Sequence, residues 1–219
     1  MASAYVRSIN VGRPKPVPWG DLRRSAIDKQ AIDGQVRVGR LGLTGDEVAD
    51  HRHHGGVDQA VYAYAREDLD WWADQLGRAL RDGQFGENLT LAGVDVTGAV
   101  IGERWRIGTA EVEVASPRIP CSVFQGYLGE PKWVKRFTQQ GRPGAYLRVP
   151  VEGELAAGDP VEVVYRPDHC VRLGEVFRAL TGDRELVPKL LVAPELPDDA
   201  RAYAKKILAS TPWRDAGPG

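Results

Sequence analysis

The chain has 219 residues, with 29 lysines and arginines against 30 aspartates and glutamates, four histidines and two cysteines. A net charge of −1 gives no general electrostatic case for a nucleic-acid polymer or an anionic membrane surface. Cys121 and Cys170 allow at most one disulfide, so a disulfide scaffold is excluded and a reducing compartment is favoured. No stretch approaches the roughly 18 apolar residues of a spanning helix. The opening Met-Ala-Ser-Ala-Tyr-Val-Arg has no apolar signal core, and a cytoplasmic location without membrane attachment is expected.

Tyr5 to Val11 predicts a first strand, stopped by Gly12 and by three prolines within residues 13–18. Residues 25–29 and 34–38 are short strand-like pieces, with Asp33-Gly34 as the turn signal between them. Ile27 and Ala31 suit a core, while Lys29 is by residue type most simply solvated. Residues 42–56 read Gly-Leu-Thr-Gly-Asp-Glu-Val-Ala-Asp-His-Arg-His-His-Gly-Gly and hold His51, His53 and His54. Two chemistries suit this run. Imidazoles ligate metals, helped here by Asp46 and Asp50, and glycines such as Gly55 and Gly56 let backbone N–H groups approach a phosphate. A solvated polar loop accounts for the same composition. The spacing is not that of His-Glu-x-x-His, and adjacent histidines rarely point at one ion from a regular element.

Residues 57–64 fit a strand or the first turns of a helix. Residues 66–76 predict a firmer helix, with Leu69, Trp72, Ala73 and Leu76 on one stripe and Trp72 in the core. Gly83 and Gly86 break that pattern, and Gly86-Glu87-Asn88 turns into another strand. Asn88 is suited either to closing the turn or to hydrogen-bonding a ligand. Residues 100–108 and 110–115 predict neighbouring strands. Pro117 and Pro120 then stop the ladder, and the few conformations left to the turn hold Cys121 close to Arg118. Nearby positive charge stabilises the thiolate, the form that attacks electrophiles and binds soft metals. A buried, inert thiol fits the composition equally well.

Residues 131–137 suggest a short helix, and residues 145–149 and 160–165 two more strands. Many short strands with glycine turns predict a mainly β protein with helices, a closed or nearly closed β-barrel over residues 1–166. Residues 167–219 predict a small α-helical domain of three segments at 171–180, 183–192 and 198–208. Asp183 and Asp198 are its candidate N-caps, Pro188 disturbs the second segment, and Trp213 packs back. Cys170 opens this part as a packing residue.

Taken together these residues resemble the MOSC-domain family, named after the C-terminal domain of molybdenum cofactor sulfurase, and within it the YiiM-type branch. The matching pieces are residues 25–29, residues 42–46 with Ala49-Asp50, His54-Gly55-Gly56 followed by Ala60-Val61-Tyr62-Ala63-Tyr64, Phe85-Gly86-Glu87-Asn88-Leu89-Thr90, Pro117-Arg118-Ile119-Pro120-Cys121, and Gly144 to Val149 with Arg148. Gln59 departs from the pattern, since relatives commonly carry a basic residue there.

The resemblance implies a β-barrel with a helical tail and a cysteine, here Cys121, that ligates the molybdenum of the pterin cofactor (molybdopterin) or carries sulfur. It implies Arg118, Lys29, His54, Gly55, Gly56 and Asn88 as cofactor-binding residues, with His54 and Asp50 as proton sources. The implied activity is an oxidoreductase that detoxifies N-hydroxylated bases or related small compounds. Electrons then come from a separate donor protein, because no flavin or iron–sulfur motif is present. A carrier of molybdenum cofactor, or of a persulfide on Cys121, is the alternative. A divalent-metal hydrolase at Asp46, Asp50, His53 and His54 is a third reading. The tail is suited to docking a redox partner, to forming a homodimer, or to covering the barrel.

Overall fold

The computed structural model describes residues 3–19, 23–50 and 54–210. His51, His53 and Trp213 lie outside the described residues. Strand β1 (Tyr5–Val11) is followed by the paired two-residue strands β2 (Lys15–Pro16) and β3 (Arg24–Ser25). Next come β4 (Gln30–Ile32), β5 (Gln35–Gly39), β6 (Gly42–Leu43), a 3-10 turn at Val57–Gln59 and β7 (Val61–Ala65). Helix α1 (Arg66–Leu76) separates β7 from β8 (Leu89–Ala92). Those strands are parallel neighbours, a pairing that needs a crossover and that α1 supplies. A hairpin of β9 (Arg104–Ile107) and β10 (Ala110–Pro117) leads into α2 (Ser122–Leu128) and α3 (Trp133–Gln140). β11 (Ala145–Val151), β12 (Gly153–Ala156) and β13 (Val161–Tyr165) follow.

The larger sheet has the order β13-β9-β10-β11-β7-β8-β1-β4, and β12-β5-β6 forms a smaller one. Neither sheet is closed, so the closed barrel expected from strand number is not formed by these ladders. Where β1 and the start of β13 approach, they share the bridge Tyr5 to Pro160, flanked by backbone hydrogen bonds from Val6 N–H to the Asp159 carbonyl (2.9 Å), from Gly158 N–H to the Val6 carbonyl (2.7 Å) and from Val161 N–H to the Ala4 carbonyl (3.0 Å), although no continuous ladder joins the two strands. The fold is a mixed α/β structure built on a large, mostly antiparallel sheet.

Two apolar clusters meet at that sheet. One gathers inward residues such as Val6, Ile9, Val112, Val114 and Leu147. The other is aromatic, with Trp72, Phe85, Phe124, Trp133 and Phe137 fully buried and Trp72 4.5 Å from Trp133. Helices α4 (Leu173–Leu180) and α5 (Asp198–Ser210), with the 3-10 helix Arg184–Leu191 between them, pack on the first cluster through Leu173, Val176, Leu190, Leu196 and Ala204. Pro188 lies inside the 3-10 segment, where its missing N–H removes an α-helical bond. Asp183 stands at that segment's N-cap without a side-chain capping bond.

Several local expectations differ from the structure. Ala31 is exposed rather than core. Residues 100–103 form a turn and only Arg104–Ile107 pairs as strand, because the Glu103 carboxylate is drawn inside by Trp105 Nε1 at 2.7 Å and Arg166 Nε at 2.6 Å. β10 also runs through Pro117, which pairs with Ala145. No helix among the described residues is long and apolar enough to cross a membrane.

Candidate functional site

β10 ends at Pro117 and delivers Arg118 directly into the interior. The guanidinium is buried, donates from Nη1 to the Phe85 carbonyl, and lies 4.2 Å from the Phe124 ring centroid and 5.0 Å from that of Tyr62. A cation held against two aromatic faces keeps part of its solvation in the rings' quadrupoles. Three residues on, Cys121 has extended backbone angles and stands immediately before α2, its carbonyl accepting from Gln125 N–H at 3.1 Å. Its side chain is half-buried against the aromatic cluster.

Cys121 lines a cavity of about 560 Å³ together with Lys29, Asp46, Asp50, His54, Gln59, Tyr62, Asn88, Arg118 and Tyr146. Burial pushes the Cys121 thiol up, but a hydrogen bond with His54, the charge of Arg118 and the Phe124 N–H outweigh it and bring the pKa down to about 7. A large thiolate fraction at neutral pH follows, which is the state that binds a soft metal.

The opposite wall is a fixed polar network. Lys29, only 7% exposed, is ion-paired with Asp46. Asp46 also accepts from Gly12 N–H at 2.7 Å and from Asn88 Nδ2 at 2.9 Å. Asn88 closes the set, its Nδ2 donating to the Asn10 carbonyl at 3.2 Å and its Oδ1 accepting from Tyr62 N–H at 3.0 Å. Burial pulls the Lys29 ammonium below its ordinary value, against the raising effect of Asp46. Behind this wall the buried carboxyl of Glu87 accepts from Gly83 N–H (2.6 Å), Phe85 N–H (2.9 Å) and Thr90 Oγ1 (2.9 Å), and burial raises its pKa. The Gly-Glu-Asn turn is therefore built by its own side chains.

Of the residues singled out from sequence, Cys121, Arg118, Lys29, His54, Asp50, Gly55 and Asn88 all line the cavity. Gly56 does not line it; it is exposed and precedes the 3-10 turn with φ 81°. Lys29 is buried rather than solvated. Asn88 closes the turn, its side chain tying it to β7, Asn10 and Asp46 while bordering the cavity. Asp46 is taken up by Lys29, Gly12 and Asn88, and the described residues contain no group of three or more His, Cys, Asp or Glu placed to hold a metal ion. His53, one of the four ligands of the hydrolase reading, lies outside the described residues. Sequence reasoning missed Tyr62 and Tyr146, adjacent cross-strand partners on β7 and β11 whose phenols burial raises above the ordinary tyrosine pKa.

A bound molybdopterin requires a soft donor, cationic and N–H groups for its phosphate, and unsatisfied polar atoms for its ring. Cys121 supplies the first, and Arg118 with Lys29 the second. Gln59 supplies the third: its Oε1 is buried without a hydrogen-bond partner beside the cavity. The donor set fits the group.

A MOSC domain model matches residues 50–162. The chain belongs to the MOSC-domain family. It is 35% identical to the uncharacterized protein YflK of Bacillus subtilis over 162 residues, 74% of this chain and 73% of that protein. It is 31% identical to protein YiiM of Escherichia coli over 165 residues, again 74% and 73% of the two chains. Among solved structures it is similar to YiiM from Geobacillus stearothermophilus, with a TM-score of 0.79, 30% identity, and coverage of 94% of this chain and 99% of that one. YiiM from Escherichia coli shares the fold at a TM-score of 0.73 and 24% identity, covering 96% and 95%. The MOSC match begins at Asp50 and spans both cavity residues His54 and Cys121.

Proposed function

We propose that this MOSC protein is a molybdenum-cofactor-dependent reductase of N-hydroxylated bases and related N–OH compounds. The observation that carries the reading is the Cys121 thiol, half-buried in the cavity wall with His54 on its sulfur and Arg118 beside it. Cys121 would hold the metal as thiolate, with Arg118, packed against Phe124 and Tyr62, stabilising that negative charge. Lys29, Arg118 and Gly55 line the same cavity and would hold the cofactor's anionic group, with Asn88 fixing the wall that carries Lys29's partner. When bound, the cofactor supplies the two-electron reduction that converts N–OH to N–H and water. His54 and Asp50 border the same space and deliver the two protons that balance it. The apolar lining, including Ile27, Leu43, Val48 and Val123, keeps bulk water from the reacting groups. Electrons arrive from a separate donor protein.

The test is anaerobic turnover of N6-hydroxyadenine by the cofactor-loaded protein with reduced methyl viologen as donor. Many turnovers per protein, yielding adenine, are expected. Release of cofactor or sulfur without consumption of the base would instead mark a carrier.

A further inference from the structure

Most polar side chains around Cys121 are already committed. His54 hydrogen-bonds its sulfur. Arg118 donates to the Phe85 carbonyl, Lys29 holds Asp46, and Tyr62 donates its hydroxyl to the Pro143 carbonyl at 2.7 Å. Tyr146 differs from all of these. It lines the same cavity, its ring packs on Tyr62 with centroids 5.2 Å apart, and it lies close enough to Cys121 and Arg118 to feel both charges. Its hydroxyl has no hydrogen-bond partner among the described residues. The side chain is held on β11, directly opposite Tyr62 of β7 and Ser116 of β10, so its position is set by sheet register rather than by a loop.

We propose that the Tyr146 hydroxyl is a substrate-binding donor that recognises the oxygen of an N–OH group; this rests on the reductase reading. An N–OH compound reduced at Cys121 brings its oxygen into the space that this phenol borders. The oxygen is present in the N-hydroxylated compound and absent from the reduced product. A donor placed on it therefore binds substrate in preference to product, and a site built to hydrogen-bond a group discriminates strongly against an analogue that lacks it. Tyr62 cannot take this part, because its hydroxyl is spent on Pro143.

The experiment is calorimetric titration of wild-type protein and Tyr146→Phe with N6-hydroxyadenine and with N6-methyladenine, which carries a methyl where the first has its hydroxyl. The wild type is expected to bind the hydroxylated base about tenfold more tightly, the worth of one good hydrogen bond. In Tyr146→Phe that ratio falls to about one, while affinity for N6-methyladenine stays the same. A ratio that survives in Tyr146→Phe, an absence of preference in the wild type, or binding of neither base overturns the proposal. Molybdenum content, measured on the same samples, separates the two readings. Protein without molybdenum that still shows a Tyr146-dependent preference removes the reductase and leaves the recognition, whereas molybdenum-loaded protein with an unchanged ratio removes the recognition alone.

Discussion

The His54→Ala variant should move the titration of Cys121 in a direction and by an amount that the site geometry dictates. In the wild type the thiol is brought to about 7 because the His54 hydrogen bond and the Arg118 charge together outweigh burial. Removing the imidazole leaves burial opposed by Arg118 and the Phe124 N–H, and the midpoint rises to about 8 or above, toward the ordinary thiol value of about 8.5. At pH 7 the thiolate fraction then falls from about one half to about one tenth or less. The assay is the rate of alkylation of cofactor-free protein by iodoacetamide across pH 5.5 to 10, with Cys170→Ser as the background so that only Cys121 reports. The midpoint is read from the full profile, because a more basic thiolate is intrinsically more nucleophilic and a single rate at pH 7 would understate the change. A midpoint near 7 that is unmoved in His54→Ala would refute the role given to the imidazole, and a wild-type midpoint near 8.5 would refute the electrostatic description of the site.

Three further outcomes follow from the same geometry. Asp46→Ala strands the buried Lys29 ammonium without its carboxylate and removes an acceptor from Gly12 and Asn88; a loss of about 3–5 kcal/mol in urea unfolding is expected, and a loss below about 1 kcal/mol would show that water replaces the carboxylate. Because the folded Cys121 thiol titrates below its unfolded value, its contribution is fully present above about pH 8.5 and is lost as pH falls through about 7. The unfolding free energy of the wild type should therefore rise by about 2 kcal/mol more than that of Cys121→Ser between pH 6.5 and 9, and parallel profiles would contradict it. Gly144 has φ +67°, and an added Cβ would stand 2.6 Å from Tyr64 Cδ2 and 2.7 Å from the Ala63 carbonyl. Gly144→Ala should cost at least about 2 kcal/mol through the left-handed backbone and that clash, which a melting curve unchanged from wild type would disprove.

The parts of the fold and site that were readable in the sequence are those where covalent geometry or local pattern leaves little choice. Two prolines bracket Arg118 and Ile119, and the turn after the strand holds Cys121 close to Arg118, in the wall of the cavity. The stripe of Leu69, Trp72, Ala73 and Leu76 predicted α1, whose observed bounds are Arg66–Leu76. What stayed hidden depends on contacts distant in sequence. Lys29 looks solvated until Asp46 and Asn88 are seen to close over it. Tyr146 reads as an ordinary alternating strand residue, and only the neighbouring commitment of Tyr62 to Pro143 makes its free hydroxyl notable. Barrel closure was unreadable for a related reason: strand patterning counts strands, while closure depends on whether the first and last ones meet over several residues. Here β1 and the start of β13 meet over residues 4–6 and 158–161, through the Tyr5–Pro160 bridge and three backbone hydrogen bonds, without forming a continuous ladder.

The proposed reductase chemistry requires that Cys121 bind molybdenum. The most direct measurement is elemental analysis of wild-type protein and Cys121→Ala, both purified anaerobically from a host that makes molybdopterin. Near-stoichiometric molybdenum in the wild type and its loss from Cys121→Ala is the predicted result; molybdenum absent from the wild type, or retained equally by the variant, would contradict it.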